Sequence, residues 1–248
     1  MNTATLNAPT THQAGAPAGP RFDMYQPIHK GLRAFMSDTL GRVGRVDVFD
    51  AEDMARTLAQ FEALLNFCLK HLAHENEFLH AAIAARVPGG AGRTVDDHVE
   101  HIHSIEALRA EGRNLLAAPD DERMALALRL YRHLALFVAE NLQHMHIEET
   151  ANNAMLWAHY SDAELVEIHD RLLATIDPVE NMEVMRWMVP ALSPVQRAGL
   201  LSEIKTHAPA PVFDAVIDAV RPHLDVRDWL KLARAVGVPQ QAGLVNYA

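Results

Sequence analysis

Residues 71–75 read His71-Leu72-Ala73-His74-Glu75, and residues 144–148 read His144-Met145-His146-Ile147-Glu148. In each stretch a histidine is followed four residues later by a glutamate. On an α-helix, positions i and i+4 stack on one face, one turn apart. A single pair of this kind is common by chance and, on a surface, is worth roughly 0.2–0.5 kcal/mol. Two pairs on two facing helices would instead aim two imidazoles and two carboxylates at one point. Burying such groups together is costly without a counter-charge, and a metal ion provides one.

The surrounding pattern is helical. The first motif lies in a run that opens at Asp50 as N-cap, with Asp53 in the first turn, and continues to about Arg86, before Pro88-Gly89-Gly90. The second lies in a run that follows Pro119-Asp120 and reaches about His159. Two more long helices are expected, one from about Asp23 to Leu40 with Pro27 in its first turn and Gly41 near its end, and one from Thr94 to about Leu116. Four long helices between about 22 and 159 are a bundle's worth. Beyond them, Ser161 and Glu164 form a capping box for a helix to about Ile176. Asp177-Pro178 breaks the chain. Shorter helices are expected at about 179–189, 194–207, 211–222 and 226–236, with Gly237 as a stop. They are too short for a second long bundle and are expected to pack on the first, or to form a homodimer contact. No convincing period-two strand is present. The fold class is therefore all-α, with residues 1–20, rich in Ala, Thr, Pro and Gly, expected as a disordered tail and 161–248 as a C-terminal helical extension.

Each remaining long helix offers histidine to the same point. His29 lies on an apolar stripe continued by Leu32, Phe35 or Met36, and Leu40. His98 and His101 share a stripe with Ile105 and Leu108, and either or both are candidate ligands. At about 100° per residue, His80 falls on the opposite side of its helix from His71, which gives it a surface, interface or packing role. His146 and Glu149 point away from the His144–Glu148 face and read as solvated. His133 and Glu140 lie near that face; His133, roughly 16 Å from His144 by helix rise, is too far to share a metal and could line a pocket or access route.

Composition narrows the functions. The chain has 248 residues, a formal net charge of −10 and no run of basic residues, which argues against nucleic acid and anionic membranes as partners. Its one cysteine, Cys68, excludes an internal disulfide and thiolate-only metal sites, and fits a reducing cytoplasm. No apolar run approaches the ~20 residues of a membrane span, and the start lacks a secretory signal's pattern. Of 15 histidines, ten lie between His29 and His146, where the paired motifs are. Nitrogen and carboxylate donors without thiolate, about six in all, suit a non-haem iron pair, with manganese or a mixed Fe/Mn pair as alternatives; zinc favours four tight ligands.

His on the first helix, His-x-x-x-Glu on the second, His on the third and His-x-x-x-Glu on the fourth resemble the hemerythrin-like (HHE cation-binding) domain family. The stretches Tyr25-Gln26-Pro27-Ile28-His29-Lys30-Gly31-Leu32-Arg33 and Glu148-Glu149-Thr150, followed by Leu156-Trp157, are similar to bacterial members. The resemblance covers about residues 22–160. It implies an up-and-down four-helix bundle around a di-iron centre with carboxylate bridges and an oxo or hydroxo bridge. The metal residues it implies are His29, His71, Glu75, His144 and Glu148, with His98 or His101 from the third helix. The chain departs from animal oxygen carriers in three ways: its third-helix histidines are spaced i, i+3, its last motif ends in Glu at four residues where theirs ends in Asp at five, and they lack the 161–248 region. Oxygen transport as such is therefore not implied. The functions implied are binding of dioxygen or nitric oxide in redox or gas sensing, an oxidase, oxygenase or peroxidase-like activity with Tyr25, His133 or Glu140 shaping a substrate pocket, or an iron-responsive interaction protein.

Overall fold

The computed structural model describes residues 21–240; the expected tail, 1–20, and residues 241–248 lie outside the described residues. The described residues are helical throughout, without strands. Helix α1 (Gln26–Gly44) is preceded by Asp23, whose carboxylate accepts the backbone N–H groups of Tyr25 and Gln26. It runs through Gly41, three residues past the stop read there, because a glycine costs a helix interior only about 1 kcal/mol. Asp50 caps α2 (Ala51–His74) by accepting from the N–H groups of Glu52 and Asp53. Helix α2 then widens without a break into a π-helical turn, Glu75–His80, and narrows again as α3 (Ala81–Arg86). Gly89, at φ 80°, makes the turn into α4 (Gly92–Ala117). Helix α5 (Asp120–Ile147) repeats the device of α2: it passes into a π-helical turn at Glu148–Asn152 and then into α6 (Asn153–His159).

Helix α1 packs on α2 and α5, and α4 packs on the same two, so the four longest helices close a ring. Leu32, Phe35, Met36, Leu64, Leu65, Leu108 and Phe137 fill it, each at most 1% exposed. Their recurrence at three- and four-residue spacing is what makes each helix bury one stripe.

The second half continues as α7 (Asp162–Leu173), which opens on a reciprocal Ser161–Glu164 capping box, and α8 (Pro178–Ala191), capped by Asp177. Helix α9 (Pro194–His207) opens on a second box, Ser193–Gln196. Helices α10 (Ala210–Val220) and α11 (Val226–Val236) follow, and Gly237 at φ 68° ends the last. Helix α8 lies along α1, α10 lies on α8, and α11 lies on α9. The α1–α8 approach is close: a Cβ on Gly31 would stand 2.7 Å from the Met188 Cα. One turn on, the rings of Phe35 and Trp187 stack at 4.0 Å and 10°. Arg197, only 3% exposed, donates to the carbonyl oxygens of Val189, Pro190 and Leu192 and pairs with Asp228 at 3.2 Å. That one guanidinium satisfies the end of α8 and joins it to α9 and α11. Among the described residues no helix is long and apolar enough to cross a membrane.

The α1–α8 contact yields a matched test. Gly31→Ala places a methyl against backbone and is expected to destabilise by about 1–3 kcal/mol through overpacking. Gly199→Ala, where a Cβ meets nothing within 4 Å, is expected to leave the denaturation midpoint unchanged or raise it. Urea unfolding of both variants reads the difference.

Candidate metal centre

The starts of α1 and α4 meet the ends of α2 and α5. At that end, His29, Glu75, His98, His144 and Glu148 are all buried, at 0–4% exposure, and the His71 side chain is 11% exposed. The two carboxylates lie at the middle. Glu75 Oε1 is 3.4 Å from His29 Nε2 and 3.3 Å from His71 Nε2, while its Oε2 is 3.5 Å from His98 Nε2. Glu148 Oε2 is 3.6 Å from His29 Nε2, and its Oε1 is 3.2 Å from His144 Nε2 and 3.6 Å from His98 Nε2. Each glutamate thus turns one oxygen to each of two imidazole groups. One donor atom from each of His29, His71 and Glu75 falls within a 4.8 Å circle of mutual distances, and so does one from each of Glu75, His98, His144 and Glu148.

Side chains behind the imidazoles set their direction. The Nδ1 atoms of His29, His98 and His144 face Glu149 Oε1 at 3.1 Å, Asn76 Oδ1 at 2.8 Å and Asp97 Oδ2 at 3.3 Å. Those partners accept, so each Nδ1 carries a proton and each Nε2 is turned to the carboxylates. Arg33 holds Glu149 in a two-point contact. The Nε2 atoms of His98 and His144 stand only 3.0 Å apart, a spacing that two lone pairs tolerate only with a proton or a cation beside them.

The electrostatics follow from burial and these contacts. Burial alone would raise Glu75 and Glu148. Contacts from His71, His29 and His98 on the one, and from His144, His80 and His98 on the other, outweigh it and keep both ionised. Burial would depress His29 and His98. Hydrogen bonds to Glu149 and Glu75 for the first, and to Glu148 and Glu75 for the second, raise both from the ordinary 6.5 to about 9. His71 and His101 are pushed down to about 4, chiefly by burial, and stay neutral. Glu149 is held at about 2, its burial being outweighed by His29 and Arg33. Even so, both oxygens of Glu148, Oε2 of Glu75 and Nε2 of His71 are buried without a hydrogen bond. Orphaned buried acceptors around a common point are what a cation would satisfy, so this donor set fits a metal.

The other residues singled out in the sequence are placed differently. His101 is buried beside His144, ring centroids 4.9 Å apart, with Nδ1 unpartnered, but it stands outside the convergent donor sets; of the two α4 histidines, His98 is the one brought in. Tyr25 is fully buried with its ring 5.4 Å from that of His29, and its hydroxyl closes no hydrogen bond. Burial and the charges of Glu148 and Glu75 hold it well above the ordinary phenol range, so it remains a neutral donor. His133 pairs with Glu111 at 3.4 Å, and Glu140 is exposed. Both fall outside the expected pocket, because the buried stripe of α5 centres on Leu134 and Asn141 and they lie roughly 80–100° to its side.

Two expectations are overturned. Glu149, read as solvated, is the partner of His29. His80, read as opposite His71, is 4% exposed, and its Nε2 lies 3.6 Å from Glu148 Oε1. The cause is the π-helical turn: with i→i+5 bonding, the residue five on from Glu75 returns to the same face. Asn76, Asp97, Thr94 and Asn152, which hold the imidazoles and one another, had no signal beyond their proximity in the chain to the motifs. Compared with models of known protein families, curated proteins and solved structures, the chain matches none of them.

The shifts fix how metal-free protein responds to pH. His29 and His98 stabilise the fold fully below pH 6.5, and that contribution is lost as pH rises through about 9. His71 and His101 act in the opposite sense: below pH 6.5 the unfolded chain takes up protons that the fold refuses until about 4. Chelator-treated protein is therefore expected to melt highest near pH 6.5 and progressively lower toward pH 5 and toward pH 9, as read by calorimetry across that range.

Proposed function

We propose that the four longest helices form an up-and-down four-helix bundle of hemerythrin-like type, and that His29, His71, Glu75, His98, His144 and Glu148 hold two iron ions. The observation that carries this reading is the pair of buried, ionised glutamates, each turning one oxygen to each of two groups of imidazoles, with three of their four oxygens left without a hydrogen bond. The alternation of helix starts and ends at the cluster supports the up-and-down arrangement. Nitrogen and oxygen donors without a thiolate favour iron, with manganese or a mixed pair as the alternative.

The protein then acts in redox or gas handling, with dioxygen or nitric oxide as the small molecule bound. When bound, iron would supply one-electron chemistry and an open position for such a ligand. The chain's own residues orient and exclude. Glu149, Asn76 and Asp97 hold protons on the outward nitrogens of three imidazoles, and Arg33 keeps Glu149 ionised. Leu32 and Phe137 belong to the apolar packing of the ring, which keeps bulk water away from the core. The protons on the inward faces of His29 and His98 leave when a metal takes their place.

A second reading, a di-iron oxidase, oxygenase or peroxidase-like enzyme, rests on a surface depression of about 400 Å³ between α3 and α4. Ala81, Ala84, Val95, Val99 and Ile102 wall it, and Asn76, His80 and His98 line it. A small uncharged molecule such as dioxygen or a peroxide fits an apolar approach of that kind. Steady consumption of oxygen or peroxide with a reductant would favour the enzyme; reversible oxygen-dependent absorbance without turnover would favour the binding protein.

Metal analysis of anaerobically purified protein, with absorbance spectra before and after oxygen, tests the main reading. Two iron equivalents and an oxygen-dependent spectrum are expected. Glu75→Ala and Glu148→Ala are each expected to lose at least one equivalent. Unchanged metal content in both variants would refute the bridging role. Iron uptake at pH 7 is also expected to release protons, measurable with an indicator dye in weak buffer.

A further inference from the structure

Beyond the six residues proposed above stands a fifth imidazole. His80 leaves the π-helical turn with its ring 4.6 Å from that of His98, the two tilted by 33°. Its Nε2 is 3.6 Å from Glu148 Oε1, the same distance as His98 Nε2 from that oxygen. Its Nδ1 is 3.0 Å from Asn76 Oδ1, the oxygen that also accepts from His98 at 2.8 Å. One amide oxygen therefore fixes a proton on Nδ1 of both rings and turns both Nε2 atoms toward Glu148. Adjacent ligands about 2.1 Å from one ion lie roughly 3.0–3.5 Å apart, depending on its geometry. The spacing of His80 Nε2 to Glu148 Oε1 is close to that range.

Thr94 Oγ1 lies 3.1 Å from His80 Nε2, but it is equally close to Ala91 O and accepts from Asn152 Nδ2. Its single proton can rest on Ala91 O, so the hydroxyl does not compete for the His80 lone pair. The i→i+5 widening of the helix is itself informative. Such turns are rare inside α-helices and occur frequently at functional sites. Without it His80 would face the far side of α2.

We propose that His80 is a metal ligand, joining His98 and His144 on one position while His29 and His71 serve the other. This rests on the two-metal reading above. It makes the positions unequal: one has three imidazoles and the other two, with Glu75 and Glu148 shared between them. The same turn brings His80 to the floor of the apolar depression, so the three-imidazole position lies nearer the surface at that point.

Anaerobic Fe(II) titration of the full chain, followed by Mössbauer spectroscopy, tests the assignment. Wild-type protein is expected to bind two equivalents with two distinct iron signals. In His80→Ala, affinity for one equivalent is expected to fall by more than about 100-fold, the upper end of what loss of an outer hydrogen-bond partner gives. The signal of that iron alone should change, and added imidazole should restore it. His80→Gln, which keeps a partner for Thr94, should show the same loss, so a folding defect in the alanine variant does not decide the result. Thr94→Val should retain both equivalents. A loss of 100-fold or less in both His80 variants, or an equal loss in Thr94→Val, would assign His80 a positioning role and overturn the proposal. Failure of wild-type protein to bind iron at all would instead refute the two-metal reading beneath it.

Discussion

Glu75 and Glu148 are ionised, nearly or fully excluded from water, and incompletely hydrogen-bonded. Desolvating such a carboxylate costs on the order of several kcal/mol, and only opposite charge with good geometry offsets it. The rest of this end of the helix ring can be understood as the supply of that charge. Five imidazoles are turned inward around the two glutamates, and four of them, His29, His80, His98 and His144, are held by acceptors behind them. In the metal-free protein, protons on His29 and His98 provide the compensation, and the spacing of His98 from His144 shows how tightly the cluster is drawn. A cation in the place of those protons would satisfy the oxygens they leave bare.

Much of this was legible in the chain. The i, i+4 relation of His71 to Glu75 and of His144 to Glu148 needs only ordinary helix geometry, and the stripes of Leu32 and Phe35 and of Ile105 and Leu108 tell which faces of their helices turn inward. Caps at Asp50 and Ser161 and the stop at Gly237 placed several helix limits because each is a local side-chain or backbone preference. The failures came where periodicity changes within a helix. No residue type announces a π-helical turn, so a constant step of about 100° puts His80 on the wrong side. Glu149 was misplaced for a related reason: its partners, His29 and Arg33, come from another helix, and a stripe drawn on one helix does not contain them. The choice between His98 and His101 likewise depended on Asn76 across the interface. For His133 and Glu140 the reading took the edge of the α5 stripe for its centre.

The C-terminal helices have a physical relation to the cluster through α1. Gly31 lets α8 come within contact of the α1 backbone two residues from His29, and the Phe35–Trp187 stack fixes the register one turn further on. Lys30 also reaches Gln196 at 2.7 Å, at the start of α9. The helix that carries His29 is thereby clamped on one side by the ring and on the other by α8 and α9. Displacement of His29 at the cluster would be felt directly at that interface.

Anomalous diffraction from iron-reconstituted crystals, recorded above and below the iron absorption edge, tests the central claim most directly. Two peaks are expected between Glu75 and Glu148, one against His29 and His71 and the other against His98 and His144. A map without a peak among these side chains, from protein that is folded and iron-soaked, would contradict it.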